Sequence, residues 1–110
     1  MMTNEKKLKF EKGLVCQMKW GATMALVNFY EVTRTTSKTV WFKRIPDVIH
    51  THDGYGQAGT KLPDLTTNKR GGEFRKQIRG NEIKGQYAYI NYQGIIEPWT
   101  GQPITFDTYD

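Results

Sequence analysis

Two histidines and a carboxylate fall together in His50-Thr51-His52-Asp53, the most metal-like fragment of this 110-residue chain. Two imidazoles and one carboxylate can hold a divalent ion. The chain has no other histidine, and the fragment lies in a Gly-rich stretch that does not fix ligands in place, so neither a metal nor a cofactor is expected. Gly54-Tyr55-Gly56-Gln57-Ala58-Gly59 matches G-x-G-x-x-G by letter. The phosphate-binding form of that motif needs a strand before it and a helix start after it, because the free N–H groups of the helix receive the anion. Here Lys61-Leu62-Pro63 follows, and a flexible glycine loop is the better reading. Ser37 is the single serine, in a polar link without a neighbouring histidine. Cys16 sits on the apolar side of an alternating segment, where a structural thiol is expected. The acidic residues are scattered singly. No catalytic residue is assigned, and the chain reads as non-enzymatic.

The cations are clustered. Lys69, Arg70, Arg75, Lys76, Arg79 and Lys84 lie within sixteen residues, opposed there by Glu73 and Glu82. Arg75 and Arg79 are spaced to share one strand face and reach neighbouring phosphates, and Gly71-Gly72 would let the backbone approach too. Tyr87 and Tyr89, and Tyr55 in the loop, are candidates for base stacking. The net charge of +5 is unevenly spread: all 16 Lys and Arg precede Gly85, and the remainder carries only Glu97, Asp107 and Asp110. That asymmetry suggests a basic face for a polyanion and a neutral-to-acidic end used otherwise. A DNA mimic, which needs an acidic surface, is excluded. Trp20, Asn28 and Tyr30 form a possible small-molecule pocket, with core packing the favoured role for all three.

Short strands must position these groups. Aromatic residues make up 13% of the chain, Gly is frequent, and helix formers are thin beyond the first dozen residues. Residues 1–12 read as a flexible Lys-rich arm whose end can pair as an edge strand, and 13–110 as one β domain. Leu14, Cys16, Met18 and Trp20 alternate against Gln17 and Lys19. A second strand runs over 25–35, with Asn28, Tyr30 and Val32 on one side and Val27 and Phe29 on the other. Thr39 to Ile45 returns as its hairpin partner. Residues 46–72 lose all pattern and read as a long central loop, functional or mobile. Strands resume over 73–79 and 83–92, and a Pro-Trp-Thr-Gly-Gln-Pro turn precedes the last, through Ile104, Phe106 and Tyr109. The expected fold is all-β and mainly antiparallel, a partly open SH3-like or OB-like barrel of five to six strands.

With one cysteine there is no intramolecular disulfide, no apolar run serves as a signal segment, and none approaches the ~18–20 residues of a membrane span. The expectation is a cytoplasmic protein that does not engage membranes.

Trp20-Gly21 followed by Asn28-Phe29-Tyr30-Glu31-Val32 resembles a small family of proteins from phages and other prokaryotic mobile elements, for which no activity is established. Lys38-Thr39-Val40 matches that family's hairpin partner, and Trp99, Gly101, Pro103 and Tyr109 match its closing turn and terminal tyrosine. The sequence departs from the pattern between Gly21 and Asn28, where Ala-Thr-Met-Ala-Leu-Val is more apolar. The resemblance implies a setting in a prokaryotic host cell. Nucleic acid, or a host complex containing it, is the expected partner. The alternatives are an anti-defence inhibitor of anti-CRISPR type that binds a host protein directly, and a nucleotide-sequestering domain.

Overall fold

The structure is a computed structural model that describes residues 8–20, 26–52, 58–91 and 94–107. Among these residues there is no helix, and so none long and apolar enough to cross a membrane. Ten strands are described: β1 (Val15–Trp20), β2 (Leu26–Thr35), β3 (Thr39–Ile45), β4 (Asp47–His52), β5 (Ala58–Pro63), β6 (Phe74–Gln77), β7 (Arg79–Asn81), β8 (Gly85–Asn91), β9 (Gly94–Pro98) and β10 (Ile104–Asp107). Seven form one antiparallel sheet in the order β6-β3-β2-β1-β9-β8-β7, and three form a second in the order β10-β5-β4. The larger sheet ends on β6 at one edge and β7 at the other, yet Ile78 alone separates these two in the chain. One short segment therefore bridges both edges, and the sheet curls into a nearly closed barrel. The all-β, mainly antiparallel, partly open barrel expected from the sequence is the fold observed.

Strand alternation builds two cores. Inside the barrel lie Phe10, Cys16, Met18, Tyr30, Val32, Val40, Phe42, Ala88 and Ile96, with Leu14, Phe74, Ile78 and Ile90 packed against them. Along β2 and β3 the residues of opposite parity point outward, and Val27, Phe29 and Ile45 meet Phe106 of the second sheet there. The second sheet thus covers only part of the barrel's outside. The middle of β2 serves both cores, with Tyr30 and Val32 inside the barrel and Val27 and Phe29 against the second sheet.

Two segments differ from the expectation. Residues 46–72 contain the antiparallel β4–β5 pair, which runs from Asp47↔Pro63 to His52↔Gly59 with a register shift between Ile49 and Thr51, so part of this stretch is sheet and not loop. Cross-strand pairing, including Thr51 to Thr60 through their hydroxyls (2.8 Å), outweighs weak local propensity here. The described end of the N-terminal arm is not free either. Phe10 is 1% exposed, its N–H donates to Gln86 Oε1 (2.8 Å), and the Gln86 N–H donates to Leu8 O (2.8 Å). A single large ring edge-on to Phe42 (centroids 5.5 Å, 83°) turns the arm into a plug for the barrel.

The C-terminal turn follows its sequence closely. The Trp99 N–H donates to Val15 O, its indole N–H donates to Gln102 O (2.8 Å), and its ring packs against Phe29. Gly101 supplies the positive φ (87°) that lets the chain reverse before β10.

Candidate nucleic-acid interface

The outer face of the β6–β7 segment collects the charged and aromatic groups. β6 alternates Phe74 and Lys76 toward the half-buried side with Arg75 and Gln77 outward. The outward parity continues past the half-buried Ile78 to Arg79. In extended chain, Arg75, Gln77 and Arg79 span at most about 13 Å. On one side of this row, Trp41 of β3 is the cross-strand partner of Arg75, and Arg34 of β2 is the partner of Trp41. The Arg34 guanidinium carbon lies 3.9 Å from the Trp41 ring centroid, a stacked cation–π pair. On the other side, Arg79 pairs with Tyr87 of β8, and its guanidinium lies 5.6 Å from the Tyr89 ring. Tyr87 and Tyr89 pack edge to face at 5.6 Å and 88°. Three guanidiniums and three aromatic rings thus share one outward surface.

This surface is not neutralised from within. Arg34, Arg75 and Arg79 have no acidic partner among the described residues. Of the carboxylates near this face, Glu73 accepts the Thr33 hydroxyl (2.5 Å) across β3, and Glu97 lines the groove beside Tyr87. The Tyr87 hydroxyl has its pKa raised, first by its hydrogen bond to Tyr89, then by that neighbour's charge and by desolvation, while Arg79 opposes the shift. The Tyr87 phenol is therefore neutral at physiological pH. Gly80 makes this edge possible. A Cβ there would lie 2.2 Å from Gly85 O and 3.1 Å from the Tyr87 ring, so only glycine lets the ring rest on the β7 backbone.

The structure rearranges the cluster expected from the sequence. Arg75 and Arg79 do share a face, though on two strands at opposite edges of the sheet. Lys76 does not join them: it points to the other side, with its ammonium 6.0 Å from the Phe74 ring. Arg70 is occupied. Its Nε donates to Glu31 Oε1 (2.7 Å) and its Nη1 donates to the carbonyls of Thr67 (3.0 Å) and Lys69 (2.7 Å), clamping the loop before β6 to β2. The backbone at Gly71 approaches β3 and not a ligand: its N–H donates to Arg44 O (2.9 Å), and a Cβ would meet Arg44 Cβ at 3.2 Å. Lys69 stays exposed on that loop. Lys84 sits in the β7–β8 turn, where its N–H donates to Asn81 Oδ1 (2.7 Å). It lines a groove of about 400 Å³ beside Tyr87, together with Leu8, Gln86, Ile95 and Glu97. Arg34 and Trp41 were not expected at all.

The other candidates separate just as clearly. Tyr30 belongs to the barrel core, where desolvation raises its pKa against the hydrogen bond from Asn28 and the charge of Arg44. Asn28 is half-buried beside it, and the side chain of Trp20 lies outside the described residues. Burial, and secondarily the charge of Glu97, push the Cys16 thiol far above its ordinary range, as befits an inert core residue. His50 is exposed on β4, while Asp53 and Tyr55 lie outside the described residues. Among the described residues no three His, Cys, Asp or Glu side chains cluster as metal ligands. Of the glycine motif, Ala58 and Gly59 open a strand and not a helix.

No family model, no curated protein and no solved structure matches this chain. The functional reading therefore rests on its own residues.

Proposed function

We propose that this chain is a non-enzymatic binding domain of phage or mobile-element type, acting in the cytoplasm of a prokaryotic host. Its outer β6–β7 face binds nucleic acid or a complex that contains it. The observation that carries the reading is the interleaving of Arg34, Arg75 and Arg79, free of acidic partners among the described residues, with Trp41, Tyr87 and Tyr89. Guanidiniums neutralise phosphates and release counterions, and flat rings beside them offer base-stacking surfaces. The mobile-element setting rests on the sequence resemblance. The test is retention of the purified protein on immobilised RNA and DNA at low salt, with the Arg75→Ala/Arg79→Ala double variant as comparison. Retention of the wild type and its loss in the variant support the reading; a wild type that passes through unretained sinks it.

A second reading, direct inhibition of a host defence protein, has its own support. Val48 and Ile49 are exposed on opposite faces of β4, the outer strand of the second sheet among the described residues. Apolar residues on a free strand edge suit a protein partner, not a polyanion. Capture of a host protein from lysate that survives nuclease digestion, and is lost in Ile49→Lys, would favour this reading.

A further inference from the structure

Resting on the nucleic-acid reading, we infer that the outer β6–β7 face takes single-stranded nucleic acid in preference to a duplex. Bases stack on the Arg34–Trp41 pair and on Tyr89, and the backbone tracks along Arg75 and Arg79.

Three features of the face select for a single strand. First, the two cations not stacked on Trp41 form one line: Arg75 and Arg79 point outward from a single extended segment at most about 13 Å long, while Arg34 lies over the Trp41 ring. One backbone can follow that line, whereas a duplex presents two backbones separated by a groove. Second, the rings stand one strand to either side of the line, about 5 Å from it in the plane of the sheet. That offset suits a chain whose bases are splayed away from its phosphates. Tyr89 is 51% exposed, and Trp41 presents its ring through a guanidinium plane that itself stacks on bases. In a duplex the base faces are already stacked on one another, and such rings would have nothing to meet. Third, reading a B-form major groove takes a helix or a protruding two-stranded ribbon. Neither is present on this face among the described residues, where the strands are built into the wall of the barrel.

The rings tolerate any base, so the preference is for strandedness and not for sequence. The groove beside Tyr87, about 400 Å³ in volume, lies next to this surface at its β8 end.

Fluorescence anisotropy with three labelled probes and one competitor tests the inference: 20-nucleotide oligo-dT, oligo-U of equal length and a 20-base-pair DNA duplex, with inorganic polyphosphate as the competitor. Both single strands are expected to bind at least tenfold more tightly than the duplex in the same salt. Tyr89→Leu, at an exposed position, is expected to weaken single-strand binding about 5- to 150-fold while leaving competition by polyphosphate unchanged. Trp41→Leu should do the same, with its thermal transition measured to confirm folding. A duplex that binds as tightly as the single strands overturns the inference, and so does a Tyr89→Leu variant that binds oligo-dT like the wild type. In either case binding to polyanions, and with it the broader reading, would stand. If none of the three labelled probes binds, both fall.

Discussion

Replacing Phe10 with alanine separates a core plug from a dispensable arm. The ring is 1% exposed, packs edge-on against Phe42, and closes one side of the barrel interior. Truncating a buried phenylalanine removes its transfer free energy and leaves a cavity, together about 3–5 kcal/mol. For 110 residues the unfolding entropy is about 0.23 kcal/mol/K at roughly 2.1 cal/mol/K per residue, so the midpoint should fall by about 13–22 °C. That is a large share of the roughly 5–15 kcal/mol that stabilises a typical domain. The backbone bond from the Phe10 N–H to Gln86 survives the substitution, so the loss reports on the ring alone. Leu8→Ala, two residues earlier and exposed, should shift the midpoint by no more than about 2 °C. The assay is thermal unfolding of the three proteins followed by circular dichroism. A Phe10→Ala midpoint within about 4 °C of the wild type would refute the plug and restore a free arm.

Arg70→Ala should destabilise by about 1–2 kcal/mol, because it leaves Glu31 unpaired and frees two carbonyls. Faster amide exchange at Gly71 should accompany the loss, with no change in the salt dependence of nucleic-acid binding. The native Cys16 thiol should resist alkylation at pH 8 and react only on unfolding, as its raised pKa and burial require. Asp64 has its pKa lowered, chiefly by the Thr66 hydroxyl and then by the Thr66 N–H. The stability it adds is full above its ordinary value of 3.8 and is lost as pH falls through the lower folded value. Thermal midpoints of the wild type and Thr66→Val should therefore converge as the pH is lowered through that range.

Where local alternation and the final contacts agree, the fold was readable from the residues. Cys16 and Met18, Tyr30 and Val32, and Val40 and Phe42 each alternate into the barrel as their spacing predicts. β4 and β5 were not readable, because Asp-Val-Ile-His-Thr-His and Ala-Gly-Thr-Lys-Leu-Pro carry no two-residue pattern and are held by pairing with each other and with β10. β9 was hidden because Gly94 and Pro98 look like turn residues. In fact Pro98 ends the strand. The division of 73–79 into β6 and β7 is a tertiary event: parity runs unbroken through Ile78, and nothing local says that the segment changes sheet edge there.

The same distinction governs the site. Arg75, Arg79, Tyr87 and Tyr89 are legible as candidates because charge and aromatic content are visible one residue at a time. Arg70 looked equivalent, and only the fold shows that Glu31, 39 residues away, occupies it. The Arg34–Trp41 pair had a usable signal that went unread. A hairpin turning on Ser37-Lys38 sets Thr36 beside Thr39, Thr35 beside Val40 and Arg34 beside Trp41, before the bulge at Thr33 shifts the register. Counting outward from the turn places the guanidinium on the ring without any structure.

The central claim is that the guanidiniums of the β6–β7 face meet phosphates. The direct measurement is the slope of log affinity against log salt concentration for oligo-dT, with wild type and the Arg75→Ala/Arg79→Ala variant compared. Each lost phosphate contact on a single strand should reduce the slope by about 0.7, so the double variant should be shallower by about 1.4. Equal slopes in the two proteins would contradict the account, because the cations that bind phosphate would then lie elsewhere.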